Sequence, residues 1–196
     1  MNKPAPVDHD IHPLLRERWS PRAFSDKPIN DETLRSLFEA ARWAPSCFNE
    51  QPWRFLVARR EAEQEFQLML SCLNETNQLW AAHGRLLVVT VAATNFARNG
   101  SPNRHAWHDV GLAVAQLTLQ ATAHGLAVHQ MAGFSSERAR ELYGVPDGFD
   151  PVSALVIGYP GDPETLQGPL KERELSARVR KDQSESVFAK AWGRAL

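Results

Sequence analysis

Cysteine is scarce: Cys47 and Cys72 are the only two in 196 residues, and no C-x-x-C pairing joins them. That stock is too small for a disulfide framework or a cysteine-built zinc site, and it fits a reducing compartment. Neither G-x-G-x-x-G nor G-x-x-x-x-G-K-[ST] occurs, which excludes a nucleotide held in the Rossmann or P-loop manner. An excess of one charge is lacking too: 22 Lys and Arg face 23 Asp and Glu, for a formal net charge of −1. No basic field exists to draw in nucleic acid, and no polybasic run marks a membrane surface. The longest apolar run, residues 86–93 with Thr90 inside it, is far shorter than the roughly 20 residues a bilayer-spanning helix needs. The opening MNKPAPVDHDIHP has no apolar core of a secretory signal, so the expected compartment is the cytoplasm. Without such a signal, the glycosylation patterns at Asn74 and Asn99 are chance matches.

What is present is concentrated in short segments. Arg18, Ser20 and Arg22 stand two residues apart in RWSPRAF. Pro21 biases Ser20 toward an extended backbone, and alternate side chains of an extended chain share a face. Two guanidiniums and a hydroxyl are therefore presented together, with Trp19, Pro21 and Ala23 turned the other way. Guanidiniums match phosphate oxygens in bidentate geometry and the hydroxyl adds a donor. The spacing alone fits a phosphorylated ligand or a solvated basic edge. Arg178 and Arg180 repeat it near the other end of the chain, and one phosphate could sit between the two clusters.

Hydrophobic periodicity predicts a layout of alternating helices and strands. Helices are expected over residues 13–19, from an Asn30 or Asp31 cap to just before Pro45, over 61–82, over 105–124, and from Ser135 to near Gly144. Strands are expected from Trp53 through Val57, over 86–93, after Gly125 to about Gln130, and over 152–159. At 22.0 kDa a single domain spanning residues 1–196 is expected. Residues 160–196 lose apolar periodicity yet carry Val187, Phe188 and Trp192. They read as an arm that docks on something. His105 and His108 form an H-x-x-H in the long helix, but zinc needs further ligands and no companion cluster is visible.

Residues 40–55, AARWAPSCFNEQPWRF, together with RWSPRAF resemble the FMN-dependent nitroreductase family, whose pattern runs R-x-S-x-R/K-x-F and then A-P-S-x-x-N-x-Q-P-W. The resemblance continues through GLAVHQMAGF at 125–134, VSALVIGYP at 152–160 and ARVRKDQSESVF at 177–188. It spans nearly the whole chain in the family's order. It implies an α+β nitroreductase-like sandwich, a mostly antiparallel sheet flanked by helices, with the C-terminal arm exchanged in a homodimer. It also implies FMN, held at Arg18, Trp19, Ser20 and Arg22, at Pro45, Ser46, Cys47 and Asn49 of the loop that reaches the partner's flavin, at Asn77, at Met131, Ala132 and Gly133, and at Arg178 and Arg180. Backbone N–H groups at Ala132 and Gly133 would face the flavin ring; the family often has an acidic residue where Ala132 stands. Arg22 would stabilise negative charge on the reduced ring. No catalytic side chain and no metal are implied, and Cys47 is given no chemical role.

The activity so implied is an NADH- or NADPH-dependent reductase of nitroaromatic, quinone or related acceptors, working by a ping-pong cycle. A specialised branch, flavin-consuming or dehalogenating, and a flavin-binding storage or sensor protein are the alternatives.

Overall fold

The computed structural model describes residues 3–196. Four strands, β1 (Trp53–Arg59), β2 (Leu86–Ala93), β3 (Ala127–Met131) and β4 (Phe149–Gly158), form an antiparallel sheet in the order β1-β2-β4-β3. β2, LLVVTVAA, is apolar on both faces because both are covered. One face (Leu87, Val89, Val91, Val156) packs with Phe66, Met69, Leu70 and Trp80; the other (Leu86, Val88, Leu155, Ile157) packs with Leu37, Val110, Val114 and Leu117. The buried Thr90 is satisfied by Ser153, whose hydroxyl lies 2.9 Å away and whose N–H donates to Oγ1 at 3.1 Å. The register shifts just beyond, where Val91 faces Pro151. Proline has no N–H for the ladder, and a bulge absorbs it.

Among the described residues seven α-helices surround the sheet: α1 (Pro13–Glu17), α2 (Asp31–Arg42), α3 (Glu63–Leu70), α4 (Glu75–Ala81), α5 (Ala106–Ala123), α6 (Ser136–Tyr143) and α7 (Gly168–Leu175). Asn30 caps α2 through Thr33 N–H at 2.7 Å, and Ser135 caps α6 through Arg138 N–H at 3.0 Å. Both starts follow the side-chain capping rule. α1 ends at Glu17, short of the expected Trp19, because Arg18 already has an extended ψ of 123°.

Two sequence expectations are corrected. The single helix expected over residues 61–82 is two, α3 and α4. Asn74 breaks it: its side chain accepts from Asn77 N–H at 2.8 Å, and its own N–H donates to Gly133 O at 3.0 Å. Asparagine in a helix competes with the ladder through such local bonds, and here a tertiary acceptor fixes the outcome. The segment from 160, expected to be irregular, contains α7. Beyond α7, Trp192 is 93% exposed, and the Phe188 ring lies 5.2 Å from it between centroids. Trp192 and Leu196 are thus left uncovered by their own chain, whereas Phe188 is half-buried. No helix among the described residues is long and apolar enough to cross a membrane.

Replacing Asn74 with Ala removes the α4 cap and is expected to cost about 1 kcal/mol. Thermal unfolding checks this: Asn74→Ser or Asn74→Asp should recover most of the lost stability, and an unchanged Tm for Asn74→Ala would refute the capping role.

Candidate functional site

The extended strip after α1 forms no ladder over residues 18–22; side-chain clamps hold it there, just ahead of the backbone bridge between Phe24 and Pro160. Glu174 of α7, 1% exposed, accepts from Arg22 N–H at 3.0 and 2.9 Å and from Ala23 N–H at 3.2 Å. A buried carboxylate persists only when its lone pairs are filled, and these backbone donors fill them. From the other side, His129 of β3 bonds the Pro21 carbonyl through Nδ1 at 2.8 Å. A carbonyl can only accept, so Nδ1 carries the proton. The His129 ring packs 4.5 Å from Trp80 of α4, over which the Arg22 guanidinium lies at 5.9 Å.

Clamped in this way, Arg18, Trp19, Ser20 and Arg22 line one cavity of about 230 Å³ with Lys3, Glu174, Arg178 and Arg180. Trp19, expected on the opposite face, lines it too. The strip bends at Arg22 and belongs to no ladder, which relaxes strict alternation. Arg18 Nη1 lies 3.5 Å from Ser20 Oγ. Arg178 donates to the carbonyls of Lys3, Arg16 and Arg18 at 2.7, 3.0 and 2.8 Å, so its fork fixes the strip as well as charging the cavity.

The charges press on one another. Burial, then the Arg180 charge, pulls the Arg18 pKa down; burial, then Arg18 and Arg180, does the same to Arg178. Arg22 is lowered by burial and by Arg173, with Glu174 opposing. Cations gathered beyond the available counter-charge are relieved by an anion. The residues present therefore fit a phosphate group.

A second group lies at the end of β3. Met131 is buried, and the N–H groups of Ala132 and Gly133 have no acceptor among the described residues. The Gly133 carbonyl accepts from Asn74 N–H and Asn77 Nδ2, both at 3.0 Å. A Cβ at Gly133 would meet the Asn74 and Asn77 amides at 2.3 and 2.7 Å. Glycine is needed here for that approach, and Asn77 anchors the turn through its amide.

The third group, Pro45, Ser46, Cys47 and Asn49, does not line the cavity. Asp109, buried in α5, accepts from Cys47 N–H at 2.9 Å; Ser46 Oγ accepts from Gln51 N–H at 3.0 Å; Glu50 accepts from Ala97 N–H at 2.8 Å. Between these ties Phe48, Asn49 and Gln51 adopt φ of 54°, 55° and 52°. Such backbone is held only when its surroundings over-determine it.

Glu174, Lys3 and Trp80 were invisible as site residues in the sequence. Glu174 is one acid in KEREL, with nothing to mark it as buried. His129 had a signal: it interrupts the apolar strand AVHQM.

Among the described residues no group of three His, Cys, Asp or Glu is placed to hold a metal. The sequence pattern of the Nitroreductase family matches residues 15–159. The "Uncharacterized 15.4 kDa protein in ask 5'region" of Mycolicibacterium smegmatis is 33% identical over 150 residues, covering 73% of this chain and 99% of that protein. A putative NADH dehydrogenase/NAD(P)H nitroreductase of Archaeoglobus fulgidus is 29% identical over 157 residues, covering 76% of this chain and 84% of its own. A crystal structure described as an oxidoreductase containing FMN matches with a TM-score of 0.88 and 33% identity, covering 95% of this chain and 94% of that one.

Glu174→Ala would strand the Arg22 and Ala23 N–H groups and is expected to cost about 3 kcal/mol. Glu174→Gln keeps one acceptor and should cost less. Urea unfolding of both decides, and equal stability of wild type and Glu174→Ala would remove the clamp.

The imidazole of His129 is pushed down to about 4, mainly by burial and then by the Arg22 charge, against its bond to the strip. Free histidine titrates near 6.5. The unfolded chain therefore takes up the proton first as pH falls. Stability from the neutral ring is complete above about pH 6.5 and is lost between there and pH 4, by up to roughly 3 kcal/mol. His129→Gln should flatten that part of the stability–pH profile; a profile of unchanged slope would rule out His129 as its source.

Proposed function

Because the chain belongs to the Nitroreductase family, and is thereby an NAD(P)H-dependent oxidoreductase served by FMN, we propose that it binds FMN at the cationic cavity and reduces nitroaromatic, quinone or related acceptors. The observation that carries this reading is the meeting of Arg18 and Arg22 with Arg178 and Arg180, from opposite ends of the chain, around one cavity. FMN, when bound, supplies the redox chemistry by accepting a hydride from NADH or NADPH and passing electrons to the acceptor.

The chain's own residues bind and orient. Arg18, Ser20 and Arg180 are the phosphate donors, and Arg178, its fork engaged by three carbonyls, holds the strip that carries them. Arg22, fixed by Glu174 and lying over Trp80, supplies positive charge to offset negative charge on the reduced ring. The free N–H groups of Ala132 and Gly133 are donors for its polar edge. No side chain is required as acid or base for hydride transfer, and donor and acceptor alternate in one cleft.

We further infer a homodimer. The loop at residues 45–49 lies outside the cavity of its own chain and carries the family's second motif, so its place is the partner's flavin. The arm's exposed Trp192 and Leu196 are apolar groups for the partner to cover.

Heat-released flavin should be FMN, and anaerobic NADH or NADPH should bleach the yellow protein, with a nitro compound restoring the colour. FAD as the main species, or colour indifferent to both nicotinamides, would sink the reading. Hydrogen bonds to charged groups contribute roughly 1.5–3 kcal/mol each, so Arg18→Ala should weaken FMN binding about ten- to a hundredfold in an apoprotein titration.

A further inference from the structure

Lys3, at the other end of the chain from α7, stands in the same cavity as Arg18, Arg22 and Arg180. Its Nζ donates to the carbonyls of Glu174 and Ser176, each at 2.6 Å, and lies 5.0 Å from the Trp19 ring centroid. An ammonium has three donors, and the third has no partner among the described residues. In return, the Lys3 carbonyl accepts from Arg178 Nη1 at 2.7 Å. Beside this clasp, Ala5 N–H donates to the Arg16 carbonyl at 2.7 Å, which Arg178 also bonds. The two ends of the chain are thus tied by reciprocal bonds: the side chain of Lys3 to the backbone at the C-terminal end of α7, and the side chain of Arg178 to the backbone of Lys3.

This places an ammonium among guanidiniums. Glu174, the one carboxylate lining the cavity, is already engaged by the Arg22 and Ala23 N–H groups. An anion entering the cavity would offset this gathered positive charge, and the third N–H of Lys3 is available to it. We propose that Lys3 is a further phosphate-binding residue of this site, held there by the Lys3–Arg178 clasp. The proposal rests on the cavity being the FMN phosphate site, and its direct ligand is a phosphate monoester.

The test titrates apoprotein with FMN and, in parallel, with riboflavin, which has the ring and lacks the phosphate. Lys3→Met keeps the length of the side chain and removes its charge, whereas Lys3→Arg keeps the charge. FMN affinity should fall about tenfold in Lys3→Met, with riboflavin affinity unchanged and with Lys3→Arg recovering much of the loss. Equal losses for both ligands would make Lys3 a purely structural clasp, and an unchanged FMN affinity would put it out of reach of the phosphate. Either result overturns the proposal. A wild type that binds neither flavin overturns the FMN reading itself, and the role of Lys3 falls with it.

Discussion

The Glu174 carboxylate is the contact on which the rest of the site depends. Removing a charge from water is costly, so a carboxylate 1% exposed must find strong donors. It finds them in the backbone of Arg22 and Ala23, 152 and 151 residues away along the chain. That bond fixes where the strip runs, and hence where Arg18, Ser20 and Arg22 present their donors. It also explains why α7 exists where little apolar periodicity predicts a helix. α7 is carried by this clamp and by Lys3 at its end, with Leu170 as its packing contact to the core.

Around that clamp the charge is local. The whole chain is nearly neutral, yet the cavity is lined by Lys3, Arg18, Arg22, Arg173, Arg178 and Arg180 against Glu174. Partly buried cations are screened by salt less than exposed ones, so this patch acts at short range on whatever enters it. Much of the local guanidinium capacity serves the backbone: Arg178 binds three carbonyls and still lends its charge. One side chain therefore shapes the site and sets its electrostatics.

The loop at residues 45–51 follows a different logic. Three non-glycine residues with positive φ, at roughly 1–3 kcal/mol each, are restrained by Asp109, Ser46 and Glu50. Phe48 is left 71% exposed with the Arg98 guanidinium 4.1 Å from its ring centroid. A restrained loop that does not line its own cavity is what the proposed dimer needs, as is the exposed Trp192 of the arm.

The sheet, most helices and their caps were legible in the amino-acid sequence because they obey local rules. Period-two and period-3.6 apolar patterns, Asn30, Ser135, Pro45 and Gly125 act through neighbours a few residues away. The sequence also carried both arginine pairs and the motifs around Ser46 and Gly133, since residue type and spacing are sequence properties. Where the clamps lie was decided only by tertiary structure. The break at Asn74 depends on Gly133, the burial of Glu174 on Arg22, and the tie of Lys3 to Arg178 on both ends of the chain meeting. Each joins residues far apart along the chain, and a hydrogen bond between distant backbone and side-chain atoms leaves no periodicity to read.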